Sequence, residues 1–321
     1  MGFFLRSILC VIGTTILFVA CAMAQSQQKP VRLVIFAPGG PTEFVARHLA
    51  AKLGPIIGAP VLIDPRPGAN GVIAAKSVAA SDADGTNLLL TTSGLLTITP
   101  MLGRSPYDPD KDLTPVARLV VNASAVVVDA SIPANNIREF VDYAKSRGQT
   151  LSFGSPGIGN IGHLWLEQFN GLTGLQLVHV PYKSAAGIIT DMLGGRIAGT
   201  IIDLPAVLTH LRSGRMKALG MVGTERSALL PEVSTIKEQG FPGVESVSWY
   251  GIFAPQKTPS AIVARMSEAI AKAISDPDVA EKLRATGAEP SPLLPEDFDR
   301  LIKADRIRWG HVIQEKKITA E

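Results

Sequence analysis

Two short glycine-rich turns have the residue types and the position to bind an anion. They are Pro38-Gly39-Gly40-Pro41-Thr42 and Gly154-Ser155-Pro156-Gly157-Ile158-Gly159-Asn160, and each follows a strand-like apolar run and precedes a helix-like one. The start of a helix offers backbone N–H groups without intrahelical partners and the positive end of the helix dipole. A carboxylate or phosphate can bind there without a charged side chain, so the sequence predicts two anion-binding turns that face each other.

The second turn also contains a G-x-G-x-x-G pattern over residues 157–162, which is typical of dinucleotide-binding folds. Those folds need an acidic residue about 20 positions further on for the ribose hydroxyl. Residues 177–183 contain no Asp or Glu, so a small anion is favoured over a nucleotide. The alternative that the glycines only shape a tight turn remains open. If the turns bind an anion, a bulky residue at Gly39 or Gly159 is expected to weaken binding while the fold stays intact.

Several side chains beside the turns can complete such a site. Tyr182 and Lys183 end a predicted strand and offer a hydroxyl and an ammonium group, although Lys183 can equally be a solvated surface residue. Asp203 follows a strand, where ligand-facing groups of open α/β sheets lie, or it caps the next helix. His163 is a packing or capping candidate. Glu43 is expected to cap a helix or hold a loop, because it would repel a bound carboxylate, or to meet a ligand through water or a ligand amine.

Signatures of catalysis are largely missing. The chain contains no H-E-x-x-H, Walker A, G-x-S-x-G or S-x-x-K pattern. Its histidines, His48, His163, His179, His210 and His311, show no metal-ligand spacing. Ser155 has no sequence-local base. No cofactor and no metal are therefore predicted, and an exported hydrolase stays as the enzymatic alternative.

The elements around the turns alternate between strand and helix. Residues 31–37 are predicted to form a buried strand, followed by a helix with Thr42 as N-cap and Val45, Leu49 and Leu53 on its buried face. This alternation favours mostly parallel sheets covered on both faces.

A second α/β series begins near residue 125. Its predicted strands are 150–153, 177–180 and 197–202, and its predicted helices are 137–145, 161–172 and 185–193. The chain is expected to cross between two lobes near 119–125 and again near 248–254, which gives a hinge of two strands. The predicted units are 25–124 with 251–321, and 125–250.

The first 24 residues resemble a secretory leader. They carry one charge, Arg6, an apolar run from Ile8 to Ala20 and the small-residue end Ala22-Met23-Ala24. Cleavage near Ala24 is predicted, with an uncleaved anchor or a lipid-modified Cys21 as alternatives. Both cysteines, Cys10 and Cys21, lie in this leader, so the mature chain is expected to have no disulfide.

The charge balance argues against nucleic acid as a partner. Without Arg6, the 31 Lys and Arg residues become 30 against 28 Asp and Glu. Basic and acidic residues are interleaved, whereas nucleic-acid binding needs a concentrated positive face. Together with the leader and the two turns, this predicts an exported protein that closes on a small anion.

The chain resembles the Bug/TctC-type extracytoplasmic solute receptors of tripartite tricarboxylate transporters along nearly its whole mature length. The resemblance depends on the shared order of many short stretches: Pro30-Val31-Arg32-Leu33-Val34, Ala37-Pro38-Gly39-Gly40-Pro41-Thr42, Ala46-Arg47, Arg66-Pro67-Gly68-Ala69, Asp84-Gly85-Thr86, Pro106-Tyr107-Asp108-Pro109, His179-Val180-Pro181-Tyr182-Lys183, Leu193-Gly194-Gly195, Leu230-Pro231-Glu232-Val233 and Arg308-Trp309.

The resemblance implies a two-lobe periplasmic-binding-protein fold of type II, or Venus-flytrap fold, with a two-strand hinge. It also implies a periplasmic, non-enzymatic receptor that delivers a small organic carboxylate to membrane permease subunits. A receptor of an ATP-driven importer would share the fold and differ in its partner. In this family glycine-loop amides and waters hold the carboxylate. Transferred to this sequence, the resemblance predicts these ligand-binding residues: Ala37, Pro38, Gly39, Pro41 and Thr42 in one lobe and Ser155, Gly159, Asn160 and His163 in the other.

Three further ligand-binding residues are predicted because each follows a predicted strand. They are Tyr182, Lys183 and Asp203. Three residues near the expected cleft differ from those frequent in the family: Glu43 replaces aspartate, Asn160 replaces serine and Ser184 replaces glycine. The ligand itself depends on a distal pocket that the sequence leaves open.

Overall fold

The computed structural model describes residues 29–103 and 107–319. The predicted leader, with Cys21 and the cleavage position near Ala24, lies outside these residues. Within the described ranges, no helix has the length and apolar character needed to span a bilayer.

The elements run along the chain in this order. The first group is β1 (Val31–Ile35), α1 (Pro41–Ile57), β2 (Val61–Pro65), α2 (Val72–Ala79), β3 (Asn87–Thr92), α3 (Ser93–Thr97), α4 (Pro109–Asp112) and β4 (Leu113–Asn122). The second group is β5 (Ser124–Asp129), α5 (Ile137–Ser146), β6 (Ser152–Ser155), α6 (Ile161–Thr173), β7 (Val178–Pro181), α7 (Ala185–Leu193), β8 (Gly199–Asp203), α8 (Leu204–Arg212) and β9 (Met216–Val222). The last group is β10 (Ser248–Pro255), α9 (Ser260–Ile274), α10 (Pro277–Arg284), β11 (Ala288–Leu293) and α11 (Pro295–Lys316).

The strands form two mixed sheets. One has the order β11-β4-β10-β3-β1-β2 and the other the order β7-β6-β8-β5-β9. Strands β1, β2 and β3 pair in parallel, as do β6, β7 and β8, whereas β10 and β5 run antiparallel to their neighbours. The expectation of mostly parallel sheets was therefore wrong. It failed because of β5 and β10, the strands by which the chain enters the second and the first sheet. Each runs opposite to the parallel strand beside it.

The two crossings lie side by side. Strand β4 of the first sheet ends at Asn122, and β5 of the second sheet begins at Ser124. The return crossing ends at Ser248, which pairs with Asn122 in the first sheet, while Ser124 pairs with Asp203 in the second. The first crossing thus lies within the predicted segment 119–125, and β10 begins where the second one was expected.

Helix α1 begins two residues earlier than predicted. Its N-cap is Gly40, which makes no side-chain capping bond, and Pro41 is its first residue. Proline suits this position because its fixed φ is helical and the N–H it lacks would have no intrahelical partner. The prediction of Thr42 as N-cap was wrong, since Thr42 is buried inside the first turn. The predicted buried face of Val45, Leu49 and Leu53 is confirmed.

Helix α6 begins at the second turn with a side-chain cap. The Asn160 side chain accepts a hydrogen bond of 3.0 Å from the N–H of Gly162. Gly159 has a φ of 68°, and a Cβ added there would lie 1.8 Å from Leu102 Cδ1. Glycine is required at this position both by its backbone conformation and by the lack of space.

Each sheet has its own apolar core, and the last helix joins both. Phe298 and Ile302, near the start of α11, pack in a cluster with residues of the first sheet. Trp309, Val312 and Ile313, near its end, pack in the cluster of the second sheet. The C-terminal helix therefore spans from one lobe to the other.

Candidate functional site

A cavity of about 650 Å³ lies between the two sheets, with a glycine-rich turn on each side. Its wall includes the first turn from Pro38 to Thr42, residues of the second turn from Gly159 to Gly162, and the start of α7. Apolar side chains form much of the remaining wall: Phe36, Leu95, Ile161, Trp165, Ile189, Ile201 and Ile202. The two turns predicted to face each other therefore line one cavity.

Most of the sequence-predicted site residues lie on this wall. They are Ala37, Pro38, Gly39, Pro41, Thr42, Gly159, Asn160, Lys183 and Asp203. Ser155, His163 and Tyr182 do not line the cavity. Their predicted contact with a ligand stays a prediction, and in this structure their polar atoms have partners inside the protein.

In the first turn, the amide of Gly39 is bound by a side chain of the same chain. Its N–H donates to Glu43 Oε2 at 2.6 Å, and Arg47 donates to the other carboxylate oxygen. The Gly39 N–H and then Arg47 hold the pKa of the Glu43 carboxyl below its usual value. Of the roles considered for Glu43, the structure shows that of holding the loop.

In the second turn, a histidine takes the same place. The Gly159 N–H donates to His163 Nδ1 at 3.2 Å, four residues further on. The His163 ring stacks on His179, with centroids 3.8 Å apart and planes 10° from parallel. Burial lowers the pKa of His163, and burial together with the charge of His163 lowers the pKa of His179 to about 4. Both rings are therefore neutral near pH 7, and Nδ1 of a neutral His163 can accept a hydrogen bond from the Gly159 N–H.

Ser155 lies behind the second turn. It is fully buried, its hydroxyl donates to Gly157 O at 2.9 Å, and its Oγ lies 2.6 Å from His179 Nε2. These bonds connect the end of β6 to β7 and fix the path of the turn. A serine beside a histidine is the arrangement of a nucleophile and its base, but this serine lies off the cavity wall.

Three other amides of the turns are free. Gly40, Thr42 and Ile161 all line the cavity, and among the described residues their N–H groups have no hydrogen-bond acceptor. Thr42 and Ile161 belong to first turns of helices, where an N–H has no intrahelical partner. Sequence reasoning did not assign Gly40 or Ile161 to the site. The rule for helix starts would have indicated both, once the helix boundaries were known.

Tyr182 and Lys183 have different surroundings in the structure, and only Lys183 lines the cavity. The Tyr182 hydroxyl donates to Asp191 Oδ2 at 2.8 Å, and burial together with Asp191 raises the pKa of Tyr182 to about 12. Tyr182 thus ties the end of β7 to helix α7. Lys183 is exposed on the cavity wall and has no ion-pair partner among the described residues. It is the one cationic side chain among the residues that line the cavity.

Asp203 connects the two crossings at the base of the cavity. Its carboxyl group accepts from Ser124 at 2.6 Å, from Ser248 at 3.0 Å and from Asn122 Nδ2 at 3.3 Å. Burial raises its pKa, against the effect of these hydrogen bonds. It makes no capping bond to α8, which begins at Leu204. Asp203 therefore joins β8 to both crossings between the sheets.

The chain was compared with known proteins. A family model described as "Tripartite tricarboxylate transporter family receptor" matches residues 45–318. Protein BugT of Bordetella pertussis is 32% identical over 293 residues, which cover 89% of each chain.

Solved structures show the same fold. Rpa4515 of R. palustris, solved with adipate, is 34% identical with a TM-score of 0.85, covering 92% of this chain and 99% of that one. The periplasmic binding protein BugD is 29% identical with a TM-score of 0.82, covering 91% and 99%. MatC of Rhodopseudomonas palustris, with bound malate, is 29% identical with a TM-score of 0.79, covering 89% and 99%.

The fold predicted from the resemblance is confirmed: this is the two-lobe periplasmic-binding-protein fold. The match to the family model spans most of the chain, and the matched relatives are aligned over nearly their full length. The chain belongs to the receptor family of the tripartite tricarboxylate transporters.

Proposed function

We propose that this chain is a periplasmic receptor that binds a small organic carboxylate between its lobes and delivers it to the permease subunits of a tripartite tricarboxylate transporter. One observation carries the proposal. Free backbone amides from both glycine turns, those of Gly40, Thr42 and Ile161, line the same cavity. The adipate and malate bound to the two R. palustris proteins support a carboxylate as the solute.

The proposed ligand contacts follow from which amides are free. A carboxylate accepts from Gly40 and Thr42 of the first lobe and from Ile161 of the second, at the positive ends of α1 and α6. Gly39 and Gly159 shape the turns, and Ala37, Pro38, Pro41 and Asn160 complete the wall around the carboxylate. Ser155, His163 and Tyr182 position the second turn and α7. Lys183 binds a second polar or anionic group of the solute.

Closure of the lobes follows from contact with both turns. A ligand shifts a two-state equilibrium only if it interacts more favourably with one state, and a carboxylate that accepts from both lobes favours the closed form. The proposed moving units are those expected from the sequence, 25–124 with 251–321, and 125–250, but α11 packs on both lobes and is therefore shared between them. They rotate about Ala123 and the segment before Ser248, where the Asp203 hydrogen bonds keep the crossings together.

The proposal includes export and the lack of catalysis. The leader places the mature chain in the periplasm after cleavage near Ala24, with lipid attachment at Cys21 as the alternative. Ser155 is the residue most like a nucleophile, and its complete burial keeps it from a solute in the cavity. No cofactor is proposed. The family favours a tripartite transporter over an ATP-driven importer as the partner.

A thermal-shift screen tests the solute class. The mature chain from Gln25 is unfolded and refolded to remove copurified ligand, and is then mixed with mono-, di- and tricarboxylates, aromatic acids and amides. A ligand present at about 100 times its Kd adds about 2.7 kcal/mol to the free energy of unfolding, which raises Tm. No rise with any carboxylate contradicts the proposal, and hydrolysis of an ester or amide in the panel supports the hydrolase instead.

A proline substitution tests the amide contact itself. Ile161→Pro removes the free N–H at the start of α6, and proline is tolerated at the first position of a helix. The loss of a hydrogen bond to a charged group lowers affinity by about tenfold to a hundredfold. Ile161→Val shortens the same buried side chain and keeps the amide, so it serves as the control. Equal affinities for both variants, measured by calorimetry, would refute this contact.

A further inference from the structure

A further connection between the lobes lies beside the second glycine turn. Leu95 and Leu96 of α3 pack in a cluster with residues of the first sheet. Two residues later, Ile98 is completely buried in the cluster of the second sheet, and Met101 and Leu102 pack against that cluster. The residues from Ile98 to Leu102, which we call the 98–102 segment, therefore pack on the second lobe although the chain around them belongs to the first.

The chain is too short at this point for the two cores to move apart. Only Thr97 lies between Leu96 and Ile98, and two residues of chain span at most about 7 Å. Thr97 is completely buried, and its hydroxyl donates to Ser93 O at 2.9 Å within α3. The last residue of a short helix thus joins the core of one lobe directly to that of the other.

The 98–102 segment contacts the second turn through Leu102. A Cβ placed on Gly159 would lie 1.8 Å from Leu102 Cδ1 and 3.2 Å from its Cγ, so the leucine side chain fills the space beside the Gly159 backbone. Just before the segment, a Cβ placed on Gly94 would lie 3.9 Å from the backbone nitrogen of Ile161. The turn that carries the free Ile161 amide is therefore packed against residues that precede the first crossing.

Helix α11 supports the 98–102 segment. Trp309, Val312 and Ile313 lie in the same cluster as Ile98. A Cβ placed on Gly310 would lie 3.3 Å from Met101 Sδ, so the helix backbone comes close to the segment.

Hydrogen bonds hold α11 where it passes from one lobe to the other. Arg306 Nε donates to Leu96 O at 2.9 Å, which connects α11 to α3. Trp249 Nε1 donates to Asp305 Oδ2 at 2.8 Å, which connects α11 to the start of β10 at the return crossing. The 98–102 segment is thus held by α3 at its start and by α11 along its length.

The hydrogen bonds within the second turn do not set its place relative to the first lobe. His163 and the Asn160 side chain accept from amides of their own turn, so they fix only its shape. Leu102 contacts the turn from a segment anchored in the first lobe. Leu102 does not line the cavity, so any effect on a solute has to act through the turn.

We infer that the 98–102 segment is a positioning element of the binding site. Leu102 holds the second turn, and with it the free amide of Ile161, opposite the first turn before a solute arrives. The inference rests on the proposed function for the role of that amide in carboxylate binding. It adds a positioning residue that lies outside the cavity wall and far from the turn in sequence.

Hydrogen exchange of the mature chain without solute tests the positioning role. Leu102→Ala removes the contact with Gly159, so peptides from residues 157–164 should exchange at least about tenfold faster by mass spectrometry. Peptides from the first turn, residues 37–44, should exchange as in the wild type. Leu102→Met conserves the volume of the side chain and should restore the slow exchange.

Leu211→Ala is the matched control. Leu211 is also partly buried, packs inside the second lobe and lies off the cavity wall. This variant should lower the free energy of unfolding without a local increase of exchange at 157–164. Equal exchange of that segment in Leu102→Ala and Leu211→Ala overturns the inference, and so does unchanged exchange in Leu102→Ala.

Titration calorimetry connects the position of the turn to binding. Benzoate, succinate, adipate and citrate are the probes. Kd rises by the factor by which the binding-competent arrangement is depopulated, so Leu102→Ala should raise Kd at least about threefold for each probe that binds the wild type. Leu102→Met and Leu211→Ala should leave Kd unchanged. An unchanged Kd in Leu102→Ala overturns the inference.

Failure of this inference can be told apart from failure of the proposed function. The exchange measurement uses no solute, so it decides whether Leu102 holds the turn even if no carboxylate binds. A wild type that binds no carboxylate refutes the proposed function alone. A carboxylate that binds the wild type and Leu102→Ala equally well overturns the positioning role and leaves the proposed function in place.

Discussion

The two glycine turns have the same backbone arrangement and different chemistry. Gly39 and Gly159 have φ values of 73° and 68°, and each donates its N–H to a side chain four residues further on. In the first turn the acceptor is the charged Glu43, beside the exposed Arg47. In the second it is the neutral, buried His163, stacked on His179.

The difference reflects the surroundings of each turn. Water and Arg47 stabilise an ionised carboxylate in the first turn, whereas a buried charge without a partner would be unfavourable in the second. A neutral imidazole accepts a hydrogen bond without that cost. Both side chains hold their turn so that the next free amides, Gly40 and Thr42 in one lobe and Ile161 in the other, line the cleft.

The largest contrast is expected from alanine at the two glycines. Gly39→Ala places a Cβ in open space and has only the left-handed backbone to overcome, about 1–2 kcal/mol. Gly159→Ala meets Leu102 as well, so its free energy of unfolding should fall by at least about 2–4 kcal/mol. Urea denaturation measures both. The expectation that the fold tolerates a bulky residue therefore applies better to Gly39. Equal losses would show that Leu102 moves away easily.

Removal of the acceptors should give a smaller contrast. His163→Phe keeps a ring to stack on His179 and leaves the Gly159 N–H without its acceptor, which costs about 1–3 kcal/mol for a buried group. Glu43→Ala exposes the Gly39 N–H to water, which replaces the lost acceptor, and should therefore cost less. If Glu43→Ala proves as destabilising as His163→Phe in urea denaturation, the explanation by burial is wrong.

The two turns should respond to pH in different ranges. The pKa of His179 is about 4 in the folded protein and near 6.5 when unfolded, so the unfolded state binds more protons between these values. The stability from the histidine pair is thus complete above pH 6.5 and is lost as the pH falls towards 4. The pKa of Glu43 is lowered because the folded state stabilises its charged form. Its contribution to stability is therefore present above about pH 4.5 and is lost only at lower pH.

Urea denaturation at a series of pH values between about 7 and 4 tests this difference. The wild type should lose stability over that range, and a variant with His163→Phe and His179→Phe should lose less. An unchanged slope in the double variant would assign the acid sensitivity to other groups.

The smallest effect is expected from salt. Arg47 and Glu43 form a surface pair, and such pairs contribute little to stability and are screened by ions. Arg47→Ala should lower Tm slightly at low salt and less at high salt. The same salt series should leave the buried second turn unaffected, and an equal response of His163→Phe to salt would contradict that view.

Much of the site was accessible from local patterns. The two turns, the buried stripe of α1 and the start of α6 at Ile161 followed from glycine, proline and apolar spacing. The helix cap Thr42 was wrong because Pro41 is itself a good first residue and extends the helix by two positions. Gly40 was missed as a site residue because of that boundary, whereas Ile161 was missed although the start of α6 was predicted correctly.

The contacts between distant residues were not accessible. His163 lies near the start of α6 and His179 in β7, so most of a helix and a loop separate them, and nothing in their spacing predicts a stacked pair. Asp203 seemed placed to face a ligand or cap a helix, and it instead accepts from Ser124 and Ser248 of the two crossings. Only the fold shows that the two ends of helix α11 pack on different lobes.

The sequence by itself determined the family, the positions of the two turns and the division into two α/β series, because those features depend on neighbouring residues and their order. The tertiary structure alone decided which amides remain free for a carboxylate and which side chains hold the turns. These depend on groups that are far apart in the chain, and hydrogen bonds and burial act over a few ångströms in space whatever the separation in sequence.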